Sequence, residues 1–504
     1  MKILIANRGE IAVRVARACR EMTIPTVAVY SDCDRDARHV READQAVHIG
    51  ASEAARSYLR IDAIVDAARR TGATAVHPGY GFLAENAAFA RACRDAGLTF
   101  IGPSPEAIAL MGSKTAARTA AISAGVPVVP GTERPLDVRV TDDEILRVAD
   151  EIGYPIVVKA VAGGGGKGMR VVERSEDVSA AVRTARSEAL AAFGDASIYL
   201  ERRLAQPRHI EIQLLGDSAG TVVPFVEREC SIQRRHQKVV EESPSIAVSP
   251  ELRARIAGAA ASVARAVSYT NAGTIEFLLD EDGSFYFLEM NTRLQVEHPV
   301  TEMVTRTDLV QWQIRLAQGE RLDIDPARAL TPQGHAIECR IYAEDPDSHF
   351  MPSPGLIRAL RPASGPGIRD DGGVSAGYMV PVYYDSMIAK LIAWAATRNE
   401  AIARMSRALA EYQVLGIRTT IPFFVWLMRQ PEYRYGRYDT TYLDRLLSER
   451  EGASFSELSA AETELVAIAA GVDAFLRAQR GAETAAVPQS GHWLQAARRE
   501  ALRE

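Results

Sequence analysis

The sequence predicts a multidomain protein of α/β and α+β class, and three stretches carry that reading. Residues 2–112 alternate short apolar runs with helical periodicity, the βαβ rhythm of a parallel, doubly wound sheet. A glycine run at 163–168 follows directly on the apolar run 155–160, inside a small α+β unit. Residues 273–297 hold two aromatic-rich runs flanking Asp280-Glu281-Asp282-Gly283, the pattern of a β-hairpin with a four-residue loop.

Taken in order, Lys2 to Ala6 is a buried-strand run, residues 10–22 have helical periodicity, and Thr26 to Tyr30 is a second strand. Ala73 to His77, a helix over 84–96 and Thr99 to Ile101 complete a predicted domain at 1–112, followed by connecting helices at 113–132. A unit at 133–203 contains strands at 155–160 and Met169 to Val172 and a helix near 176–191. Residues 204–447 form a larger mixed domain that includes the hairpin. The segment 448–504 reads as an Ala/Glu-rich helix over 456–479, a loop with Gly481, Pro488 and Gly491, and a short helix at 492–503.

The 504 residues are 47% apolar and 25% charged with a net charge of −6, a balance that gives polyanion binding no support, so no nucleic-acid partner is expected. Apolar runs are broken by Arg or Gly well short of the roughly 18 residues a membrane span needs, so no membrane insertion is expected either. Met1 to Ala6 enters a strand and lacks a signal-peptide profile. Cys19, Cys33, Cys93, Cys230 and Cys339 show no zinc or disulfide spacing, and a reducing, cytoplasmic setting is the expectation.

If Leu279 pairs with Ser284, Glu276 lies opposite Phe287 and Glu289 opposite Thr274. The two carboxylates are then diagonal neighbours on one face, roughly 7–8 Å apart at the backbone. Hard oxygen ligands in such a pair suit Mg²⁺. Beyond the hairpin, Glu289, Asn291, Arg293, Gln295 and Glu297 fall at every second position and share a side while the chain stays extended. Spacing leaves two readings: the solvated face of an antiparallel strand, or an active-site wall that holds metal and substrate.

Five glycines in the six residues from Gly163 to Gly168 leave backbone N–H groups open to an anion. Met169 stands where a Walker A loop has Ser or Thr, so the run is either a different phosphate cradle or a hairpin tip. In the first case Lys159, ending the entering strand, reaches the same phosphates. Lys114 is either a phosphate ligand or a solvated helix start. Gly79 to Ala84 fits G-x-G-x-x-A, but the first βα turn, Asn7 to Glu10, holds a single glycine, which argues against a dinucleotide site. The basic stretch Arg234 to Lys238, read as extended, sends Arg234, His236 and Lys238 one way, as an anion pocket or a charged strand face. Cys230 reads as core.

Ala6-Asn7-Arg8-Gly9-Glu10-Ile11-Ala12, His77 to Phe82, Gly163 to Met169, Arg234 to Lys238, Glu289 to Glu297 and His335 to Arg340, in this order, resemble the biotin carboxylases of the ATP-grasp superfamily over about residues 1–447. The resemblance implies a Rossmann-like pre-ATP-grasp domain, an ATP-grasp lid and core, and a biotin carboxylase C-terminal domain. It implies ATP bound at its phosphates by Lys114 and Lys159 and covered by a lid tip with Gly164, Gly165, Gly166 and Met169. A hinge at Glu201 and Leu204, with His209, Gln233 and His236, would hold the rest of the nucleotide. Glu276 and Glu289, with Asn291, would ligate two Mg²⁺ or Mn²⁺ ions. Lys238, Arg293, Gln295 and the Val296 backbone would hold bicarbonate, Glu297 would act as general base, and Arg340 and Tyr80 would meet biotin, with Arg340 stabilising its enolate.

The implied activity is ATP-dependent carboxylation of biotin by way of carboxyphosphate, as the first half-reaction of acetyl-CoA carboxylase in fatty acid synthesis. The alternatives are membership of a pyruvate or propionyl-CoA carboxylase, or another ATP-grasp ligase. Residues 448–504 extend past the shortest family members and hold no Met-Lys-Met biotinylation motif, so biotin is expected on a separate carrier protein. Carboxyltransferase subunits and a second copy of the chain, as a homodimer, are the other implied partners.

Overall fold

The apolar runs of the first hundred residues form a parallel sheet in the order Gln45–Gly50, Thr26–Ser31, Ile3–Ile5, Ala75–His77, Thr99–Phe100 in the computed structural model, which describes residues 1–132, 134–161, 169–455 and 460–485. Helices Gly9–Glu21, Ile61–Thr71 and Ala87–Asp95 connect the strands. Period-2 alternation sends Ile3 and Ile5 to one buried face and Leu4 to the other, as a sheet covered on both faces requires. The edge strand Gln45–Gly50 is not marked by the sequence pattern, because most of its side chains are not buried and no apolar run forms.

A three-stranded antiparallel sheet, Met169–Val172, Ile156–Ala160 and Ile198–Arg202, stands apart with its own core of Ile145, Val158, Val172, Val182 and Leu200. Two helices pack on it, Asp142–Ile152 and Val178–Phe193. The first is started by a capping box in which Thr141 and Glu144 satisfy each other's backbone N–H.

The site is built on a nine-stranded antiparallel sheet. Its path runs Phe285–Asn291, Asn271–Leu279, Arg208–Gly216, Arg228–Arg234, Gln237–Ser243, His335–Tyr342, Met387–Ala395, Ile368–Gly372, with Val222–Pro224 paired to the side. It is continuous from the hairpin to the C-terminal half, because Gln237–Ser243 pairs directly with His335–Tyr342.

Two local expectations are corrected. The hairpin closes on Leu279–Phe285 instead of Leu279–Ser284, with the Asp280 N–H donating to the Ser284 carbonyl across a five-residue loop. A bulge past Phe277–Phe287 adds a second one-residue offset, so Glu276 faces Glu289 directly and Thr274 faces Asn291. Each slip alone would flip the face; together they restore it and convert a diagonal pair into a direct one. The stretch Arg234 to Lys238 is not a strand. Arg235 and His236 adopt positive φ (49° and 64°) in a two-residue turn, and Arg234 pairs with Gln237. Arg234 consequently leaves the site, donating to Glu344 and stacking on Phe350.

The chain forms two compact units, Met1–Ala453 and Ser454–Glu504. In the second, the helix Ala460–Ala485 runs through the predicted loop glycine, Gly481, since a single glycine costs only about 1 kcal/mol among Ala and Glu. The predicted helix at 492–503 lies outside the described residues.

Candidate active site

Strands place the polar side chains of the site. Along Arg208–Gly216, the side chains of His209 and Glu211 emerge on one face by period-2 alternation. Glu276 on Asn271–Leu279 is cross-strand to Glu211 on one side and to Glu289 on the other. Gln233 and Lys238 are cross-strand partners on the neighbouring hairpin. After Asn291 the chain leaves the sheet, and Glu297 stands just before the helix His298–Thr305 with its carboxylate turned to the site instead of capping the helix. The alternating wall nevertheless converges: the Arg293 guanidinium donates to Asn291 Oδ1 (3.0 Å) and Gln295 Oε1 (2.6 Å), and Gln295 Nε2 donates to Glu276 Oε1 (3.0 Å). Glu85 fixes the outer side, accepting from the Thr292 N–H and from Arg293 Nε at 2.9 and 2.8 Å.

At the deep end, Lys238 Nζ donates to three buried carboxylates, Glu211 (2.6 Å), Glu297 (2.7 Å) and Glu276 (2.9 Å). Glu211 also accepts from the fully buried Arg228. Arg340 bridges Glu297 (2.8 Å) and Glu241 (2.6 Å). Burial alone would raise Glu297, but Lys238, Arg340 and Arg228 outweigh it and hold the carboxyl well below the usual range. Glu276 is lowered in the same way, burial being outweighed by Lys238 and His209. Burial opposes the charge on Lys238, yet Glu211, Glu276 and Glu297 raise it well above an ordinary lysine. Glu241 goes the other way, pushed up to about 7 by burial and by Glu297 against the pull of Arg340.

Glu289 is raised by burial and by the Glu276 carboxylate it faces. That opposed pair, with Asn291 Nδ2 donating to Glu276 Oε1 at 2.9 Å, is an oxygen-donor set with surplus negative charge, the chemistry that Mg²⁺ or Mn²⁺ takes. His209 Nε2 lies 3.0 Å from Glu276 Oε2, and donor atoms of His209, Glu211 and Glu276 fall within 4.8 Å of one another.

The outer end is built from lysines. Lys159 Nζ donates to Glu201 at 2.5 Å, and Arg118 donates to the same carboxylate at 3.1 Å. Burial and the nearby Lys159 outweigh Glu289 and lower Lys114.

A cavity of about 470 Å³ joins both ends. Its lining brings together the predicted Lys114, Lys159, Met169, Glu201, His209, Gln233, His236, Lys238, Glu276, Glu289, Asn291, Arg293, Gln295, Val296, Glu297 and Arg340. Leu204 is buried but does not line it, and Gly164, Gly165 and Gly166 lie outside the described residues. Tyr80 lines a second cavity of about 520 Å³ that shares Arg293, Val296 and Arg340 with the first. Glu211, Glu241, Glu85 and Arg118 are additions that the sequence reading misses. For Glu211 the same alternation that links His209 to the site is a usable signal.

Comparison with known proteins matches three family profiles: biotin carboxylase N-terminal domain over 1–108, carbamoyl-phosphate synthase L chain ATP-binding domain over 113–325, and biotin carboxylase C-terminal domain over 338–445. A biotin carboxylase from Nostoc sp. is 52% identical over 445 residues, covering 88% of this chain and 99% of that protein. A pyruvate carboxylase subunit of Methanothermobacter thermautotrophicus is 51% identical, covering 88% and 89%. Among solved structures, a biotin carboxylase–β,γ-ATP complex from Campylobacter jejuni superposes with a TM-score of 0.84 at 47% identity, covering 88% and 98%. The biotin carboxylase domain dimer of Hydrogenobacter thermophilus 2-oxoglutarate carboxylase, with MgADP, ADP and bicarbonate, gives 0.84 at 46% identity, covering 91% and 99%. Fold, charge arrangement and relatives agree, and the chain belongs to the biotin carboxylase family of ATP-dependent ligases.

Proposed function

We propose that this chain carboxylates biotin on a separate carrier protein, using ATP and bicarbonate. The observation that carries this reading is Glu297: a fully buried carboxylate in the wall of the first cavity whose two oxygens are held by different cations, Lys238 and Arg340, the second of which lines both cavities. The cations around it hold its pKa low and keep it ionised, the state a proton acceptor must start from.

Glu297 takes the proton of bicarbonate, which Arg293, Gln295 and the Val296 backbone orient, and the resulting oxyanion attacks the γ-phosphorus of ATP to give carboxyphosphate and ADP. Lys114 and Lys159 stabilise charge on the transferring phosphates, mostly by position and electrostatics. Glu276, Glu289 and Asn291 would hold Mg²⁺ or Mn²⁺, which neutralises phosphate oxygens when bound. Carboxyphosphate separates into CO₂ and phosphate, and the phosphate takes the N1′ proton of biotin. Arg340 holds the enolate that captures CO₂, with Tyr80 on the wall of the biotin cavity.

The acceptor we propose is acetyl-CoA, in fatty acid synthesis; the pyruvate carboxylase relative from Methanothermobacter thermautotrophicus supports pyruvate at 51% identity. The choice is made by offering the carboxylated carrier to each carboxyltransferase. A homodimer is proposed from the Hydrogenobacter thermophilus domain, which is a dimer. Among the described residues no helix is long and apolar enough to cross a membrane.

The test is ADP release with ATP and Mg²⁺, with bicarbonate and free biotin each added or omitted. Turnover that requires bicarbonate and rises with biotin is the expected result. ATP turnover indifferent to both would leave a different ATP-grasp ligase.

A further inference from the structure

Lys390 is fully buried in the strand Met387–Ala395. Its Nζ donates to the Val296 carbonyl at 2.8 Å, lies 3.4 Å from Glu10 Oε2, and stands 5.7 Å from the centre of the Tyr80 ring. One ammonium from the C-terminal half thereby meets the loop after the hairpin, the first turn of the helix Gly9–Glu21, and the turn that carries Tyr80. Lysine is almost never fully buried unless well paired, and burying its charge is costly. Its charge is met by buried acids: Glu10, Asp371, which is its cross-strand partner on Ile368–Gly372, and Glu338, while the hydrogen bond it donates goes to the neutral Val296 carbonyl. An apolar residue at this position would leave those carboxylates uncompensated.

Charge compensation explains why this lysine is buried, and its hydrogen bond to Val296 adds an effect on position. Val296 lies between Gln295 and Glu297, and a carbonyl held from behind fixes the peptide plane from which Glu297 departs. Lys390 is also the direct cross-strand partner of Arg340. One strand pair therefore sets Arg340 directly and Glu297 through Val296, and the two side chains meet at 2.8 Å. We propose that Lys390, with Glu10 as its counter-ion, is a positioning residue that holds Glu297 in register with Arg340. This rests on the function proposed above.

The test compares wild type, Lys390→Met, Lys390→Arg and Glu10→Gln in bicarbonate-dependent ADP release with free biotin. In Lys390→Met, kcat should fall on the order of 10–100-fold, since a small misplacement of reacting groups has that effect, while KM for ATP stays within about twofold. Lys390→Arg, which keeps a donor and a charge, should recover most of the loss, and Glu10→Gln should move kcat in the same direction by less. A folded Lys390→Met with wild-type kcat overturns the proposal, as does an equal loss in ATP affinity and kcat with no recovery in Lys390→Arg. Should Lys390→Met fail to fold, Glu10→Gln decides, and an unchanged kcat there overturns it. If wild-type turnover itself ignores bicarbonate, the functional reading falls and takes this inference with it. If wild type and Lys390→Met respond alike, only this inference falls.

Discussion

The two ends of the catalytic cavity solve the problem of charge in different ways. At the deep end, Lys238 and Arg340 are each shared among carboxylates that are themselves fully or nearly fully buried. At the outer end the sharing is reversed: one buried carboxylate, Glu201, takes two cations, Lys159 and Arg118. A buried ion network is held together by mutual dependence, because removing one member leaves the others uncompensated in low dielectric. A carboxylate with two cations should tolerate the loss of one, which would leave Lys159 free for the phosphate-binding role proposed for it. Stability and catalysis should therefore be coupled at the deep end and separable at the outer one.

The largest effect is expected from Lys238→Met, which leaves Glu211, Glu276 and Glu297 without their common cation. Breaking such a buried set should cost about 3–5 kcal/mol of stability, measured by denaturant unfolding, together with bicarbonate-dependent turnover. The loss has a pH signature. In wild type, Glu276 and Glu297 are depressed in the folded state, so the stability they contribute is full above the unfolded carboxylate pKa of about 4.3 and declines as pH falls through their lowered folded values. Without Lys238 the buried carboxylates shift upward and take up protons, so the gap between variant and wild type should narrow from pH 7 to pH 4. A gap constant over that range would show that the three acids do not depend on Lys238.

The two arginines of the site sharpen the contrast. Arg293→Ala and Arg340→Ala should each lower kcat about 10²–10³-fold if both stabilise developing charge. Arg340→Ala should lower the unfolding midpoint more, because it removes a cation from the buried Glu241 and Glu297 carboxylates, whereas Arg293 gives up neutral amide oxygens and Glu85, which is 40% exposed. A sizeable rate in either variant would remove that residue from the chemistry. Equal destabilisation by both would erase the distinction drawn between buried and solvated partners.

The sequence makes the site legible where alternation holds and loses it where the chain turns. Alternation puts Glu276 and Glu289 on one face for a register that is wrong twice, once at the loop and once at the bulge, and the face survives because the two offsets sum to two residues. No pattern in one strand reports a bulge, since the extra residue is fixed by pairing with another. For Arg234 to Lys238, a run of long polar side chains reads as extended, while positive φ at Arg235 and His236 makes it a turn and removes Arg234 from the site. Glu241 and Lys390 escape the pattern for another reason: their partners, Arg340 and Val296, arrive from strands and loops roughly a hundred residues away. A single lysine inside the apolar run Met387 to Ala395 is nonetheless a visible anomaly.

The smallest effect is expected at the outer end, and it tests the contrast from the other side. On the role proposed for Lys159, Lys159→Gln would remove one charge-assisted contact to the nucleotide, worth about 1.5–3 kcal/mol, so KM for ATP should rise roughly 10–100-fold. Stability should change by no more than about 1 kcal/mol, because Arg118 still donates to Glu201 at 3.1 Å. The Arg118→Gln, Lys159→Gln double variant then removes both partners of that carboxylate. If the outer end is structurally redundant, only the double variant loses more stability than the sum of the single variants, and a double-mutant cycle on the unfolding midpoint reads that excess directly. Strict additivity would mean that the two cations do not substitute for one another at Glu201, and the outer end would lose its redundancy.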